Sequence, residues 1–230
     1  MDNFVITIAR GFGSGGKQIG LALSKQLGIP CYEGQILSMA SNYSGINKDL
    51  FFQVDEKLRG YHLIKRLMKS ANKDDIVEPT DKSFISDVNL YNIQAKIIKE
   101  LAKQQSCIII GKCANHLLRD YDNTVSVYIE APRAFCVKNV IERLGVTEEE
   151  AHRMIYQTDR YRADYYKYYT GGETWTNPVL YDMALNSDRM GMDKCTELII
   201  QYLKIKLGED ILGKKGTAEN DKALKQLGLF

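Results

Sequence analysis

The stretch Gly11-Phe-Gly-Ser-Gly-Gly-Lys17 fits the pattern G-x-x-x-x-G-K, which cradles phosphate groups when it joins a strand to a helix. Its glycines allow positive φ angles, so successive backbone N–H groups can point toward one anion. The positive end of the following helix would add to this attraction, and Lys17 would reach the outer phosphates. We therefore predict phosphate binding, with a closely packed glycine turn as the alternative. The predicted binding residues are Gly11, Gly13, Ser14, Gly15, Gly16, Lys17 and Gln18.

The same loop lacks the residue that usually binds the metal ion. The pattern normally ends in Ser or Thr, whose hydroxyl holds Mg²⁺, but Gln18 and then Ile19 stand at these positions. Ser14 is a candidate substitute. The sequence therefore supports phosphate binding more strongly than it supports catalysis.

A second cation, Lys112, directly follows the predicted strand Cys107–Ile110 and the glycine that ends it. Ligands of parallel sheets bind beyond the carboxyl ends of the strands, so this lysine is a candidate for contact with a substrate phosphate. The alternative is a solvated surface lysine, which is the usual environment of this residue type.

A third group of charges lies on a helix that begins with the capping box Thr147-Glu-Glu-Glu150. Guanidinium groups bind phosphate oxygens in a bidentate way and keep their charge, so this helix could be a cationic lid. The alternative is a solvated helix with many ion pairs. Arg162 lies off the main charged stripe, with Asp159 three residues before it. That stripe comprises Arg153, Gln157, Arg160, Asp164 and Lys167.

Tyrosines are concentrated in the same helix, with five of the chain's 14 between Tyr161 and Tyr169. Stacked aromatic rings can bind nucleic-acid bases. They can also pack a helix against the body of a protein, which is the interpretation we favour here.

Five short apolar runs alternate with amphipathic helices along the chain. Such an alternation predicts an α/β protein with a parallel sheet covered on both faces. The loops after Ala9, Ile110, Ile129 and Leu185 should then form the functional edge of the sheet. The predicted strands are Phe4–Ala9, Ile29–Tyr32, Cys107–Ile110, Val125–Ile129 and Met183–Leu185.

Composition excludes several classes of protein. The 230 residues are 44% hydrophobic and 26% charged with a net charge of +2, which argues against intrinsic disorder and against a strongly basic nucleic-acid binder. No apolar run approaches the roughly 18–20 residues that span a bilayer. The five cysteines are scattered without a C-x-x-C pair, as expected for free thiols in a reducing cytoplasm. We therefore expect a cytoplasmic protein that binds neither membrane nor nucleic acid, and homo-oligomerisation stays open.

Several separated motifs together resemble the bacterial cytidylate kinase-like proteins, relatives of the nucleoside monophosphate kinases. The resemblance extends from Ile6 to about Leu207. Its marks are Ala9-Arg-Gly-Phe-Gly-Ser-Gly-Gly-Lys-Gln-Ile-Gly20, Ile110-Gly-Lys-Cys-Ala-Asn115, Asp159-Arg-Tyr-Arg-Ala-Asp-Tyr-Tyr166, Tyr168-Tyr-Thr-Gly171 with Trp175, and Leu185-Asn-Ser187.

This resemblance implies a P-loop kinase fold, a three-layer α/β/α structure with a five-stranded parallel sheet. It further implies a kinase domain at 1–207, with a helical acceptor-binding insertion at about 35–80 and an arginine-bearing lid at about 147–173, followed by a C-terminal tail at 208–230. The implied reaction transfers the γ-phosphoryl group of ATP, with Mg²⁺, to a nucleoside monophosphate, CMP or dCMP. Because a phosphate acceptor is already anionic, that reaction would demand no general base.

The resemblance also assigns roles to individual residues. Residues Gly13 to Lys17 match the phosphate loop, Asp159 and Arg162 match the Asp-x-x-Arg of the lid, and Lys112 stands where cytidylate kinases have an arginine that holds the acceptor phosphate. Charge and placement add Arg153 and Arg160 as catalytic candidates beside Lys17 and Arg162. They also add Arg133 as a substrate-binding candidate beside Lys112 and Asp159.

Four positions depart from the cytidylate kinase pattern, all around the expected acceptor site. They are Glu33, Gly34, Cys113 and Asn115. Two alternatives stay open. Gln18 and Ile19 leave open a protein that binds ATP without transferring phosphate, and the four altered positions leave open a kinase for a non-nucleotide metabolite.

Overall fold

The computed structural model describes residues 3–51 and 87–214. Of the insertion predicted at about 35–80, residues 52–80 lie outside the described residues, and so do residues 215–230 of the predicted tail.

Five parallel strands form the central sheet, in the order β2-β3-β1-β4-β5. The central strand β1 pairs with β3 on one side and β4 on the other, so that Ile6 lies beside Ile108 and Val125. Its carboxyl end therefore opens in the middle of the edge where ligands of such sheets bind. The strands are β1 (Val5–Arg10), β2 (Cys31–Tyr32), β3 (Cys107–Ile110), β4 (Thr124–Glu130) and β5 (Met183–Asn186).

The predicted strands are confirmed, with one shortened. Strand β2 begins at Cys31, two residues later than predicted. The reason is Pro30, which has no N–H to donate to the ladder, although its carbonyl accepts from the backbone N–H of Ile108 at 2.9 Å.

Eight α-helices lie within the described residues. Gly28, Gly45 and Gly145, all in the left-handed conformation, end α1, α2 and α5. The capping box at Thr147 is present and begins α6. The helices are α1 (Gly16–Leu27), α2 (Gln35–Ser44), α3 (Asp87–Gln104), α4 (Ala114–Leu117), α5 (Arg133–Leu144), α6 (Glu148–Tyr169), α7 (Ser187–Met190) and α8 (Met192–Leu207).

Alternate side chains of the sheet pack into two apolar layers. Ile6 and Ile8 face α1 and α8, while Val5 and Ile109 face α2 and α3. The α/β/α arrangement with a five-stranded parallel sheet is therefore confirmed. Among the described residues, no helix is both long and apolar enough to cross a bilayer.

An aromatic cluster holds α6 against the sheet. Tyr165 and Tyr166 of α6 pack with Trp175 and with Tyr128 of β4, and the ring of Tyr169 stacks on that of Tyr91 at 3.7 Å between centroids. The tyrosine-rich segment thus packs its helix against the body of the protein, as favoured from the sequence.

Candidate functional site

The loop between β1 and α1 has the shape of a phosphate-binding nest. Gly13 and Gly15 adopt φ angles of 88° and 85°, a region that favours glycine. The loop is also packed closely, because a Cβ on Gly13 would lie 2.6 Å from the carbonyl oxygen of Cys136. Gly15 precedes α1 and has no side chain to cap the first-turn N–H groups, which leaves that end suited to an anion.

The hydroxyl of Ser14 is turned into the protein. Its Oγ donates to the carbonyl oxygens of Gly11 at 2.9 Å and Ile129 at 3.1 Å, and the residue is fully buried. Gln18 lies beside Arg143, and with its amide oriented to satisfy both groups its oxygen accepts from Nε at 3.1 Å and Nη1 at 3.0 Å. Neither residue therefore replaces the missing metal-binding hydroxyl. Within the described ranges, no group of three or more His, Cys, Asp or Glu side chains could hold a metal ion.

Glu33 joins two cations at the mouth of the loop. Its Oε1 accepts from Nη2 of Arg10 at 2.7 Å, and its Oε2 lies 2.6 Å from Nζ of Lys17. Burial raises the pKa of Glu33, but hydrogen bonds and charges from Lys17 and Arg10 outweigh it and hold that pKa below its ordinary value. Burial lowers the pKa of Arg10, against the opposing charge of Glu33.

The sequence motifs do not place Arg10 or Glu33 in this network. The available signal was their position, since each is a charged residue at the carboxyl end of a strand, β1 or β2. Gly111 leaves room for this arginine, because a Cβ there would lie 2.4 Å from Nη1 of Arg10. The floor of the site is therefore built around the Arg10–Glu33–Lys17 network.

The Asp-x-x-Arg pair of α6 contacts the phosphate loop directly. Oδ1 of Asp159 accepts from the backbone N–H of Phe12 at 2.8 Å and from Nη1 of Arg162 at 3.2 Å. Nη1 of Arg162 also donates to the carbonyl oxygen of Arg10 at 2.9 Å. Burial lowers the pKa of Arg162 to about 10, and the neighbouring charge of Arg10 adds to that effect. Burial also raises the pKa of Asp159.

A cavity of about 340 Å³ opens between this network and α6. Its lining combines aromatic and charged side chains. Lys112 lies on the sheet side, where it and Cys113 adopt the positive φ angles of 58° and 54°. The aromatic lining comprises Tyr161, Tyr165, Tyr166 and Trp175, and the charged lining comprises Arg10, Glu33, Lys112 and Arg162.

Three predicted arginines lie away from this cavity. Arg160 is two residues before Arg162, about 200° around the helix, and contacts Tyr156 and Asp164 instead. Arg153 shares its exposed face, since seven residues make about two turns. Arg133 donates from Nη2 to the carbonyl oxygen of His152 at 2.6 Å and so ties α5 to α6. The structure brings together Lys17, Lys112, Asp159 and Arg162, but not these three.

Comparison with known proteins gives the chain its family. The sequence model of the cytidylate kinase-like family matches residues 5–189. An uncharacterized protein from Eubacterium ventriosum ATCC 27560 has a similar structure, with a TM-score of 0.62, 24% identity, and coverage of 88% of this chain and 99% of that one. Shikimate kinase from Bacteroides thetaiotaomicron has a TM-score of 0.45 and 13% identity, covering 87% of this chain and 98% of that one. A comparison with curated proteins finds no match.

The family match covers the phosphate loop, the sheet and α6. With the observed five-stranded sheet and the loop after β1, it confirms the predicted P-loop kinase fold. The chain belongs to the cytidylate kinase-like family.

Proposed function

We propose that this chain transfers the γ-phosphoryl group of ATP to a small molecule bound in the cavity. Membership of a kinase-like family indicates a phosphotransferase. The observation that carries the proposal is that the Asp159–Arg162 pair contacts the phosphate loop, while Arg162 and the Lys17 partner Glu33 line the same cavity.

Positioning and charge neutralisation dominate phosphoryl transfer, and the site is built for both. The loop N–H groups and Lys17 would hold the outer phosphates of ATP. Arg162 would neutralise charge on the transferring group, and Asp159 orients it. Because Asp159 also binds the loop at Phe12, α6 would close over the reacting groups and exclude water.

Kinases of this family type use a divalent metal ion such as Mg²⁺ together with ATP. The inward-facing Ser14 hydroxyl and the engagement of Gln18 with Arg143 do not fit the usual protein ligand set for that ion. We therefore assign no side chain of the described ranges to the metal and derive no step through it.

Two acceptor classes compete for the cavity. The resemblance nominates a nucleoside monophosphate, CMP or dCMP, whose base would contact the aromatic wall and whose phosphate would bind Lys112. The presence of Glu33 beside Lys17 favours instead an acceptor that carries a hydroxyl group. A third possibility, ATP binding without transfer, rests on the altered metal-binding position at Gln18.

The test is acceptor-dependent ADP release with ATP, Mg²⁺ and a panel of CMP, dCMP, UMP, AMP and GMP. We expect Lys17→Ala to abolish turnover, because the lysine that holds the transferring phosphate is lost. Lys25→Ala is the matched control, since Lys25 is an exposed lysine of the same helix, α1, at its far end. Near-native turnover by Lys17→Ala contradicts the assignment. If the protein binds ATP but no member of the panel stimulates ADP release, two explanations remain: an acceptor that carries a hydroxyl group, or ATP binding without transfer.

A further inference from the structure

We propose that Glu33 is the catalytic base of this site and that the acceptor presents a hydroxyl group, not a phosphate, at the point of transfer. The inference rests on the proposed phosphoryl transfer and names the acceptor class. It assigns a chemical role to a residue whose identity departs from the cytidylate kinase pattern.

Glu33 lies within hydrogen-bonding distance of the phosphate-binding lysine. Nζ of Lys17 lies 2.6 Å from Oε2 of Glu33, and this lysine is the group that reaches the outer phosphates in a phosphate loop. The carboxylate is therefore adjacent to the place where the γ-phosphoryl group is transferred. A general base must lie within hydrogen-bonding reach of the proton that it removes, and Glu33 lines the acceptor cavity.

Arg10 holds this carboxylate by one oxygen only. Nη2 of Arg10 donates to Oε1, which leaves Oε2 to Lys17. When Lys17 turns to the phosphates of ATP, Oε2 becomes available to an acceptor hydroxyl while Oε1 stays fixed. Arg10 is thus a positioning residue, and the fold reserves its space, since a Cβ on Gly16 would lie 2.5 Å from Cβ of Arg10.

The charges around Glu33 also favour a hydroxyl acceptor. Arg10 pairs with Glu33 and Arg162 pairs with Asp159, so both buried arginines of the cavity are already balanced by acids. A monophosphate next to Glu33 would face a like charge, and it would need no base because it is already anionic. A hydroxyl is neutral and has a proton to lose, which a carboxylate can accept, as in kinases that phosphorylate alcohols.

The resulting step is balanced. The acceptor oxygen forms a bond to Pγ of ATP, and the bond from Pγ to the bridging oxygen of ADP breaks. The hydroxyl proton passes to Oε2 of Glu33 and later leaves to solvent. When ATP is bound and Lys17 has turned to its phosphates, Glu33 loses the hydrogen bond from Lys17. That bond is one of the influences that hold the pKa of Glu33 low, so Glu33 becomes a stronger base in the ATP complex.

The aromatic wall of Tyr161, Tyr165 and Trp175 indicates an acceptor with a planar ring. Cytidine and 2′-deoxycytidine, compared with CMP and dCMP, are therefore suitable probes. Each pair shares its base and sugar and differs only at the 5′ position, which carries a hydroxyl in the nucleoside and a phosphate in the nucleotide.

The experiment measures kcat and KM for the four probes in wild type, Glu33→Gln and Glu33→Asp. Glu142→Gln is the matched control, an exposed carboxylate on α5 in a weak ion pair with Lys138. We expect turnover of a nucleoside and a loss in kcat on the order of 100-fold or more in Glu33→Gln, typical of a removed general base. The KM for ATP should change little, and the acidic limb of the kcat–pH profile should disappear. The kcat of Glu33→Asp, whose carboxylate is one methylene farther from the acceptor, should lie between the values for wild type and Glu33→Gln.

Turnover of CMP that is retained or raised in Glu33→Gln overturns the inference and leaves the proposed function standing. If none of the four probes is phosphorylated although ATP binds, the rate of ATP hydrolysis tests the role of Glu33, because water then supplies the hydroxyl group. A hydrolysis rate unchanged by Glu33→Gln overturns the inference, and a drop of the size above supports it. Failure of the wild type to bind ATP removes the proposed function together with the inference. Thermal unfolding confirms that each variant is folded.

Discussion

Replacing Gly13 with alanine perturbs the phosphate loop where backbone conformation and packing both require glycine. Its φ of 88° lies in the left-handed region, which costs an L-residue about 1–2 kcal/mol. The new Cβ would also lie 2.6 Å from the carbonyl oxygen of Cys136 and 3.0 Å from its Cα. These are backbone atoms of α5, so relief requires the loop or the helix to move, at roughly 1–3 kcal/mol. The expected loss in the free energy of unfolding is roughly 2–5 kcal/mol.

Gly145→Ala is the matched control. Gly145 has a φ of 66°, and a Cβ there would meet no atom within 4 Å, so only the backbone cost of about 1–2 kcal/mol remains. Denaturant unfolding of both variants gives the difference due to packing, and titration with ATP gives its functional consequence. We expect ATP affinity to fall on the order of tenfold or more in Gly13→Ala, which corresponds to about 1.4 kcal/mol, and to stay unchanged in Gly145→Ala. Equal destabilisation of the two variants, with unchanged ATP affinity, refutes the reasoning.

Two further predictions concern the lid and the sheet edge. Arg162→Ala should lower kcat/KM by at least tenfold because this guanidinium lines the cavity. Arg160→Ala, on the opposite face of α6, should leave kcat/KM nearly unchanged. Equal losses in the two variants would contradict the placement of α6. Burial of Asp182 raises its pKa, but hydrogen bonds from Lys206 at 2.8 Å and Ser126 at 2.7 Å outweigh burial and hold that pKa below its ordinary 3.8. Ionised Asp182 therefore stabilises the folded state fully above about pH 4, and this stabilisation is lost as the pH falls through the folded-state pKa of Asp182. Unfolding between pH 5 and 2 should show a smaller acid-induced loss in Asp182→Asn than in wild type, and an identical loss would contradict it.

Local sequence was sufficient for most of the fold. Several patterns depend only on residues that are neighbours in the chain, so they can be read without tertiary context. Examples are the apolar strand Cys107–Ile110, the helix-ending glycines Gly28 and Gly145, and the capping box at Thr147. The phosphate loop was predictable for the same reason, since its glycines and Lys17 are contiguous.

Contacts between distant segments were not predictable in this way. Arg10, Lys17 and Glu33 come from three separate elements, and they meet only because β1 and β2 end at one edge of the sheet. Pattern matching therefore left Arg10 without a role and treated Glu33 only as a departure from the family pattern.

The sequence by itself determined the phosphate loop, the order of strands and helices along the chain, and the concentration of arginines on α6. The Asp-x-x-Arg motif pointed to Arg162 and charge added Arg153 and Arg160, but only the tertiary structure decided which of the three lines the cavity. The aromatic cluster around Tyr165 and Tyr166 sets the rotation of α6, which turns Arg162 toward the loop and leaves Arg153 and Arg160 on the exposed face. The spacing of charges places them on one side of a helix or the other, but only packing against the body of the protein chooses which side faces the cavity.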